Sequence, residues 1–438
     1  MRGTGLRCAL PPRITDVLSL LRFKEAVPSH EHFIQRALEL AVRGTGCTSP
    51  NPLVGSVVVH NGRIIGEGWH EVYGEAHAEV NALNDARRFI QSDEFYSSSD
   101  KTGDEHIAQT FSECTLYVTL EPCNHHGYTP PCTHAIVNAG IKHVVYALED
   151  PNPKAAGGAD WLRQQGVSIV TGVLEDKARH VNRFFLKYVA DKLPFVIAKT
   201  ATSLDGRIAT RTGHSQWITG PAARQRGHQL RQAVDAIIVG SGTVLSDDPS
   251  LTVRLPEDLC AAELVRHPRP VILDTAGRVP LTSKLLNGSL ATKALIITTK
   301  AMSEEHREAL ESHGHEVAVV GQNRNGPGTC PVDTLAVLGE RKLHSVLLEG
   351  GAMVHGTFRD AGLIDEVWSF IAPSVIGGQT APSSFAATGS DTLEHASELH
   401  DVQVEHVGND VLIRGLVSPS SSPDAAQRTT EQLTNFKS

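Results

Sequence analysis

His77, Glu79, Cys123 and Cys132 carry the most specific chemistry in the sequence. One imidazole and two thiols are donors that a borderline-soft, tetrahedral Zn²⁺ prefers, and three protein ligands leave its fourth position for water. A metal held in this way lowers the pKa of bound water to about 7 and makes hydroxide available at neutral pH. Glu79 follows the histidine by two residues, is not needed as a ligand, and is placed to shuttle a proton. A purely structural zinc would want a fourth protein ligand, and no third cysteine lies nearby at a suitable spacing.

Spacing narrows the chemistry further. Pro122-Cys123 follows the strand-like run Thr115 to Leu120, and Cys132 comes after eight intervening residues that include His125, His126, Gly127 and paired prolines. A His-x-Glu followed by Pro-Cys and a second cysteine is the signature of zinc deaminases, but nucleoside and nucleic-acid deaminases bring that second cysteine two residues after the first. The wider gap, with Asn51-Pro52-Leu53-Val54-Gly55 upstream and His70 before His77, resembles the deaminase half of the bifunctional riboflavin-biosynthesis deaminase/reductase family. The resemblance covers residues 30 to 175. It implies a cytidine-deaminase-like layered α/β domain in which His77, Cys123 and Cys132 hold Zn²⁺. Glu79 is then the catalytic acid/base, and Asn51, His70 and His125 meet a pyrimidine ribotide. The chain departs from the family at Tyr128, where an arginine or lysine usually stands. A cation there would contact the substrate phosphate, whereas tyrosine offers a neutral hydrogen bond.

A second set of residues lies beyond Lys192-Leu193-Pro194. No Gly-x-Gly-x-x-Gly opens this half, so the ordinary dinucleotide fingerprint is absent. Two glycine stretches, 239–244 and 348–353, follow strand-like runs, where backbone amides at a helix start can meet a phosphate. Lys199 to Arg207, Gly213 to Thr219 and Leu245 to Arg254 resemble the reductase half of the same family, over residues 195 to 415. That resemblance implies a dihydrofolate-reductase-like fold and NADPH. It places Thr202, Trp217, Thr243, Asp247 and the run Gly351, Ala352, Met353, Val354, His355, Gly356 and Thr357 at the cofactor. Lys199, Ser215, Arg231, Leu251, Arg254 and Glu349 fall at the substrate. Arg231 and Arg254 are forked donors suited to a phosphate, and a carboxylate such as Glu349 can accept from a pyrimidine edge.

The elements that must position these groups are two α/β domains. We expect an extension over 1–29, the deaminase domain over 30–174, a helical connector over 175–193, the reductase domain over 194–416 and a disordered polar tail over 417–438. In the first domain, Phe33 to Ala41 has helical spacing, Asn61-Gly62 marks a hairpin, and His77 opens a helix. Residues 91–109, with three consecutive serines, read as a solvated surface insertion. In the second, strand-like runs at 195–199, 235–239, 270–274, 294–298, 316–320, 345–348 and 366–371 alternate with helical stretches, which predicts a largely parallel sheet.

The 438 residues carry 40 Lys and Arg against 49 Asp and Glu, with no basic block, which argues against a nucleic-acid partner. No apolar run approaches a membrane span. Cys8, Cys47, Cys114, Cys260 and Cys330 form no paired framework, which fits a reducing, cytoplasmic setting. The basic, acid-poor first residues leave open a plastid address or a plain extension. The resemblance implies small pyrimidine ribotides as substrates and a homo-oligomer. A single-function member with one active domain is the alternative, although none of Glu79, the cysteines, Lys199 or Asp247 is lost.

Overall fold

The computed structural model describes residues 28–92, 103–256, 265–287 and 293–418. The chain begins with helix α1 (His30–Ala41), whose spacing buries Phe33, Ile34, Ala37, Leu38, Leu40 and Ala41. Strands β1 (Gly55–His60) and β2 (Arg63–Trp69) form a hairpin. Its turn puts Asn61 and Gly62 at positive φ, as the Asn-Gly pair demands. Helix α2 (Ala78–Ile90), helix α3 (Asp104–Ser112) and strand β3 (Thr115–Leu120) follow. Then come α4 (Cys132–Ala139), β4 (His143–Leu148), α5 (Gly158–Gln164) and β5 (Ser168–Val170).

The five strands lie in the order β2-β1-β3-β4-β5. Val57, Tyr117 and Val145 bury one face against α1, while Val58, Leu116 and Val144 bury the other against α2, α3, α4 and α5. Gly66 and Gly68 of β2 let α2 come unusually close: a Cβ at either would lie within 2.4 Å of Ala82 backbone atoms. That close approach seats the first turn of α2, and with it Glu79, against the sheet. Residues 93–102 of the expected surface insertion lie outside the described residues. The remainder differs from the expectation: it forms α3, which buries Ile107 and Phe111 in the core.

The connector is two helices, α6 (Glu175–Val181) and α7 (Arg183–Asp191), broken at Asn182. The Asn182 side chain donates to the Leu53 carbonyl (3.0 Å) and accepts from the Leu53 amide (2.8 Å), so it cannot cap a continuous helix and clamps the first domain instead. From α7, Lys187 pairs with Asp365 and Arg183 with Glu366, and Tyr188 stacks on His344 at 3.8 Å. The two halves are therefore packed together.

The second half runs β6 (Phe195–Ser203), α8 (Pro221–Ala233), β7 (Ala236–Gly240), α9 (Ser241–Asp247), β8 (Arg269–Leu273) and α10 (Lys284–Asn287). It continues through β9 (Leu295–Thr298), α11 (Glu304–Ser312), β10 (Glu316–Val319), α12 (Pro331–Glu340) and β11 (Ser345–Leu348). Helix α13 (Ala352–Asp360), β12 (Glu366–Ala372), β13 (Leu399–Val407) and β14 (Asp410–Val417) complete it. The nine-stranded order is β10-β9-β8-β7-β11-β6-β12-β14-β13, parallel as far as β12 and antiparallel beyond it. Ile237 points into one core and Ile238 into the other, so the central strands are buried on both faces and read as continuous apolar runs. The β13–β14 hairpin was not expected from the sequence, because β13 is mostly exposed and polar. Among the described residues, no helix is long and apolar enough to cross a membrane.

Candidate active sites

His77 immediately precedes α2 in extended conformation, Cys132 is the first residue of α4, and Cys123 sits in the loop after β3. One donor atom from each lies within 4.8 Å of the others. His77 Nδ1 is 3.2 Å from Cys132 Sγ and 3.5 Å from Cys123 Sγ. A tetrahedral zinc with ordinary Zn–N and Zn–S lengths requires an N···S separation of about 3.5 Å, so the donor set fits Zn²⁺ closely. The other ring nitrogen of His77 stands 3.5 Å from Thr129 Oγ1, a partner that keeps Nδ1 free for the metal. The Cys132 thiol donates toward Cys123 and draws the Cys123 pKa down to about 4, so the set already favours a thiolate.

Glu79 is buried in the first turn of α2, and burial pushes its carboxyl up to about 7. A cavity of about 490 Å³ opens from these residues and is lined also by Asn51, His70 and His125. Asn51 donates its amide to His70 Nε2 (3.1 Å), while His70 Nδ1 donates to the Ala76 carbonyl (3.1 Å). Both nitrogens of His70 are thus committed; it orients Asn51 and leaves the Asn51 carbonyl oxygen for a ligand. His125 Nδ1 is buried without a hydrogen-bond partner among the described residues. Tyr128 is 82% exposed and meets Tyr73 edge-on at the rim.

Sequence reasoning missed Glu121, a buried carboxylate that accepts from the Ala159 amide (2.9 Å) and the Asp150 amide (3.2 Å) and so ties two loops to the cavity floor. It also missed Phe185, Tyr188, Lys192, Lys342 and His344, which bring the connector and the second half of the chain to the same cavity. No local signal marks them, since only the packing of the halves brings them there.

The second set gathers at the carboxyl ends of neighbouring strands, where open α/β sheets bind ligands. Lys199 and Thr202 are on β6, Thr243 and Asp247 on α9 after β7, and Glu349 just after β11. A Cβ on Gly350 would lie 3.0 Å from Thr243 Oγ1, so glycine permits this close approach. Arg231 is not an open fork. It donates to both Glu349 oxygens (3.0 and 2.6 Å) and to the Thr252 carbonyl (2.9 Å). Burial works to raise the Glu349 pKa, but the charges of Arg231 and Lys199 outweigh it and hold it at about 2.

Leu251 buries its side chain in the core, which leaves its backbone for a ligand, whereas Arg254 is exposed. Ser215 is half-buried, and Trp217 is 67% exposed with the Arg224 guanidinium 4.6 Å from its ring. The run 351–357 divides. Met353 is exposed, but His355 is buried between the carbonyls of Leu348 (3.1 Å) and Ser384 (3.2 Å). A Cβ on Gly356 would lie 1.7 Å from the Ala386 oxygen. The His355 side chain and Gly356 therefore pack the helix against residues 384–386. Asp205, not anticipated, accepts from Ser203 Oγ and from the amides of Ile376 and Gly377, fixing the loop after β12 to the end of β6.

Fold and sites together define a bifunctional enzyme, a zinc deaminase joined to a reductase. Residues 27–148 match the model of the cytidine and deoxycytidylate deaminase zinc-binding region, and residues 194–413 match that of the RibD C-terminal domain. The riboflavin biosynthesis protein RibD of Bacillus amyloliquefaciens is 40% identical over 91% of this chain and 99% of its own length. That of Escherichia coli K12 is 35% identical over 87% and 98%. The Acinetobacter baumannii RibD structure superposes with a TM-score of 0.75 at 36% identity, covering 89% of this chain and 99% of its own. A Thermotoga maritima diaminohydroxyphosphoribosylaminopyrimidine deaminase/5-amino-6-(5-phosphoribosylamino)uracil reductase gives 0.72 at 36% identity, covering 89% and 99%. The chain belongs to the RibD family of riboflavin-biosynthesis proteins.

Proposed function

We propose that the first site hydrolytically deaminates 2,5-diamino-6-(5-phosphoribosylamino)pyrimidin-4(3H)-one at its 2-amino group. The second then reduces the ribosyl group of 5-amino-6-(5-phosphoribosylamino)uracil to ribityl with NADPH. The observation that carries the reading is the His77, Cys123, Cys132 cluster with the buried Glu79 beside it. Zinc, when bound, supplies a Lewis acid that brings the pKa of water near 7.

The chain's own residues do the rest. Asn51, held by His70, orients the pyrimidine, and His125 offers its unpartnered nitrogen to it. Glu79 takes a proton as water oxygen bonds to the amino-bearing carbon, and returns it to nitrogen as the C–N bond breaks and ammonia leaves. In the second site, NADPH supplies the reducing equivalents. Lys199 and the Arg231–Glu349 pair hold the substrate, while Thr202, Thr243, Asp247, Trp217 and the exposed part of 351–357 hold the cofactor.

We assign the chain to the cytoplasm; its bacterial relatives lend no support to a plastid address, and residues 1–27 lie outside those described. A homo-oligomer that binds neither nucleic acid nor membrane completes the proposal. Incubation with the diaminopyrimidine ribotide and NADPH, following both products by mass, tests it. Release of ammonia without the subsequent two-hydrogen gain would reduce the chain to a single-function deaminase.

A further inference from the structure

The cavity that begins at Glu79 and His77 is not closed by the first domain alone. Its wall includes Lys192 at the end of α7, and Lys342 and His344 in the segment between α12 and β11. The Lys342 ammonium has no ion-pair or hydrogen-bond partner among the described residues, and that of Lys192 meets only the Val189 carbonyl (3.1 Å) and the Tyr188 ring. His344 is 6% exposed, and its Nε2 is buried without a hydrogen-bond partner among the described residues. Tyr188 stacks on His344 at 3.8 Å, so Lys192, Tyr188 and His344 form one contiguous wall. Burial first, and then the charges of Lys192 and Lys342, depress the His344 pKa to about 4; both ammoniums are therefore close enough for their fields to meet at this ring.

A buried imidazole that can turn an N–H toward a ligand, flanked by two ammoniums with little else to bind, is suited to a phosphate dianion. Holding two like charges together without a counter-ion is unfavourable, and a bound dianion reverses the sign of that interaction. The cavity's acidic groups, Glu75, Glu79, Glu121 and Asp150, all come from the first domain, which adds one lining lysine, Lys154, whereas the opposite wall brings Lys192 and Lys342 and no carboxylate, so the charge across the cavity is polarised. The substrate proposed above has the matching polarity: an uncharged pyrimidine to be presented to the metal cluster, and a phosphate at the far end of its ribose. Tyr128, at the position where the family usually has a cation, is on the exposed rim and carries no charge to hold that phosphate.

We propose that Lys192 and Lys342, with His344, hold the phosphate of the ribotide that the zinc site deaminates, so that the connector and reductase domain complete the deaminase's substrate site. This rests on the reading that the first site deaminates a phosphoribosylated pyrimidine. It assigns the connector a binding task besides that of a tether.

The test is the double variant Lys192→Gln/Lys342→Gln in the full-length, zinc-loaded chain. Ammonia release is followed with the ribotide and with the corresponding dephosphorylated riboside. The ribotide KM is expected to rise by about tenfold or more with kcat within about twofold, because the phosphate is remote from the carbon under attack. The riboside KM is expected not to move. NADPH oxidation on deaminated substrate serves as the folding control, since neither lysine belongs to the reductase cleft. Tyr128→Arg placed on the double variant is expected to recover part of the lost ribotide affinity. An unchanged ribotide KM, an equal rise for ribotide and riboside, or a rise produced by Lys154→Gln on the other cavity wall in place of the double variant would overturn the inference while leaving the deaminase reading intact. A wild-type chain that releases no ammonia from either compound would instead sink that reading and the inference with it.

Discussion

Two buried glutamates show how differently the two halves use the same side chain. Among the described residues no cationic side chain forms an ion pair with Glu79, and burial lifts its carboxyl to about 7, where it can both take and give a proton. The Glu349 side chain is nearly as deeply buried, but Arg231 grips both of its oxygens and Lys199 adds its field, so it stays charged down to about 2. The first carboxyl is tuned to change protonation near neutral pH, as the proposed proton carrier must; the second is a fixed charge. The same contrast runs through the sites around them. The His77, Cys123, Cys132 cluster is a compact set of donors gathered at two helix starts and one loop, whereas the second candidate site is spread along the ends of three neighbouring strands, β7, β11 and β6.

Breaking the donor set should have the largest effect. Cys123→Ser is expected to abolish ammonia release and zinc retention, measured by metal analysis, while NADPH oxidation on deaminated substrate continues. Glu79→Gln comes next: zinc content should stay near wild type while ammonia release falls by about a hundredfold or more, the scale of a lost acid/base. Metal loss in that variant, or near-normal turnover, would remove Glu79 from the role of carrier.

The fixed charge should break differently. Glu349→Gln leaves Arg231 buried with half its partner gone, and removing one member of a buried pair costs about 3–5 kcal/mol. Denaturant unfolding should register this as a loss of stability in the second domain, where Glu79→Gln registers none. The pair also has a pH signature. The folded pKa of Glu349 lies below that of an unfolded glutamate, so as the pH falls the unfolded state takes up the proton first. Its contribution is complete above about 4.3 and is lost as the pH drops toward 2. Acid unfolding of Glu349→Gln should lack that component, and identical acid transitions in the two proteins would contradict it.

The difference between the sites also explains what was legible in the sequence. His77, Glu79, Cys123 and Cys132 declare themselves because metal chemistry tolerates few donor types and fixes their order. Arg231 reads as a free phosphate fork because Glu349 lies 118 residues away in the chain, and only the fold makes them partners. The run 351–357 divides for a geometric reason: a helical run of this length winds round its axis, so His355 and Gly356 turn inward while Met353 turns out. The β13–β14 hairpin escapes because an exposed edge needs little apolar patterning, and α3 because two buried residues, Ile107 and Phe111, suffice to dock it. The basic wall of the deaminase cavity was invisible for the same reason as the Arg231 pair, since Lys342 and His77 meet at one cavity only through domain packing.

The smallest expected effect is at Tyr128. Tyr128→Arg in the otherwise wild-type chain should lower the ribotide KM by about twofold to threefold with little change in kcat, since a charge-assisted contact is roughly twice as strong as a neutral one. The gain should shrink in high salt, because the position is exposed. An unchanged KM would mean that the lysine wall already saturates the phosphate contact.

The separation of the two chemistries is tested most directly by following both products by mass when the full-length chain is incubated with the diaminopyrimidine ribotide and NADPH, with and without a zinc chelator. Without chelator, the deaminated and then the reduced product should accumulate in turn. With it, the ribotide should remain unchanged, while supplied deaminated substrate is still reduced at the wild-type rate. Ammonia release that survives complete removal of zinc, or reduction that disappears with the metal while the fold persists, would contradict the account.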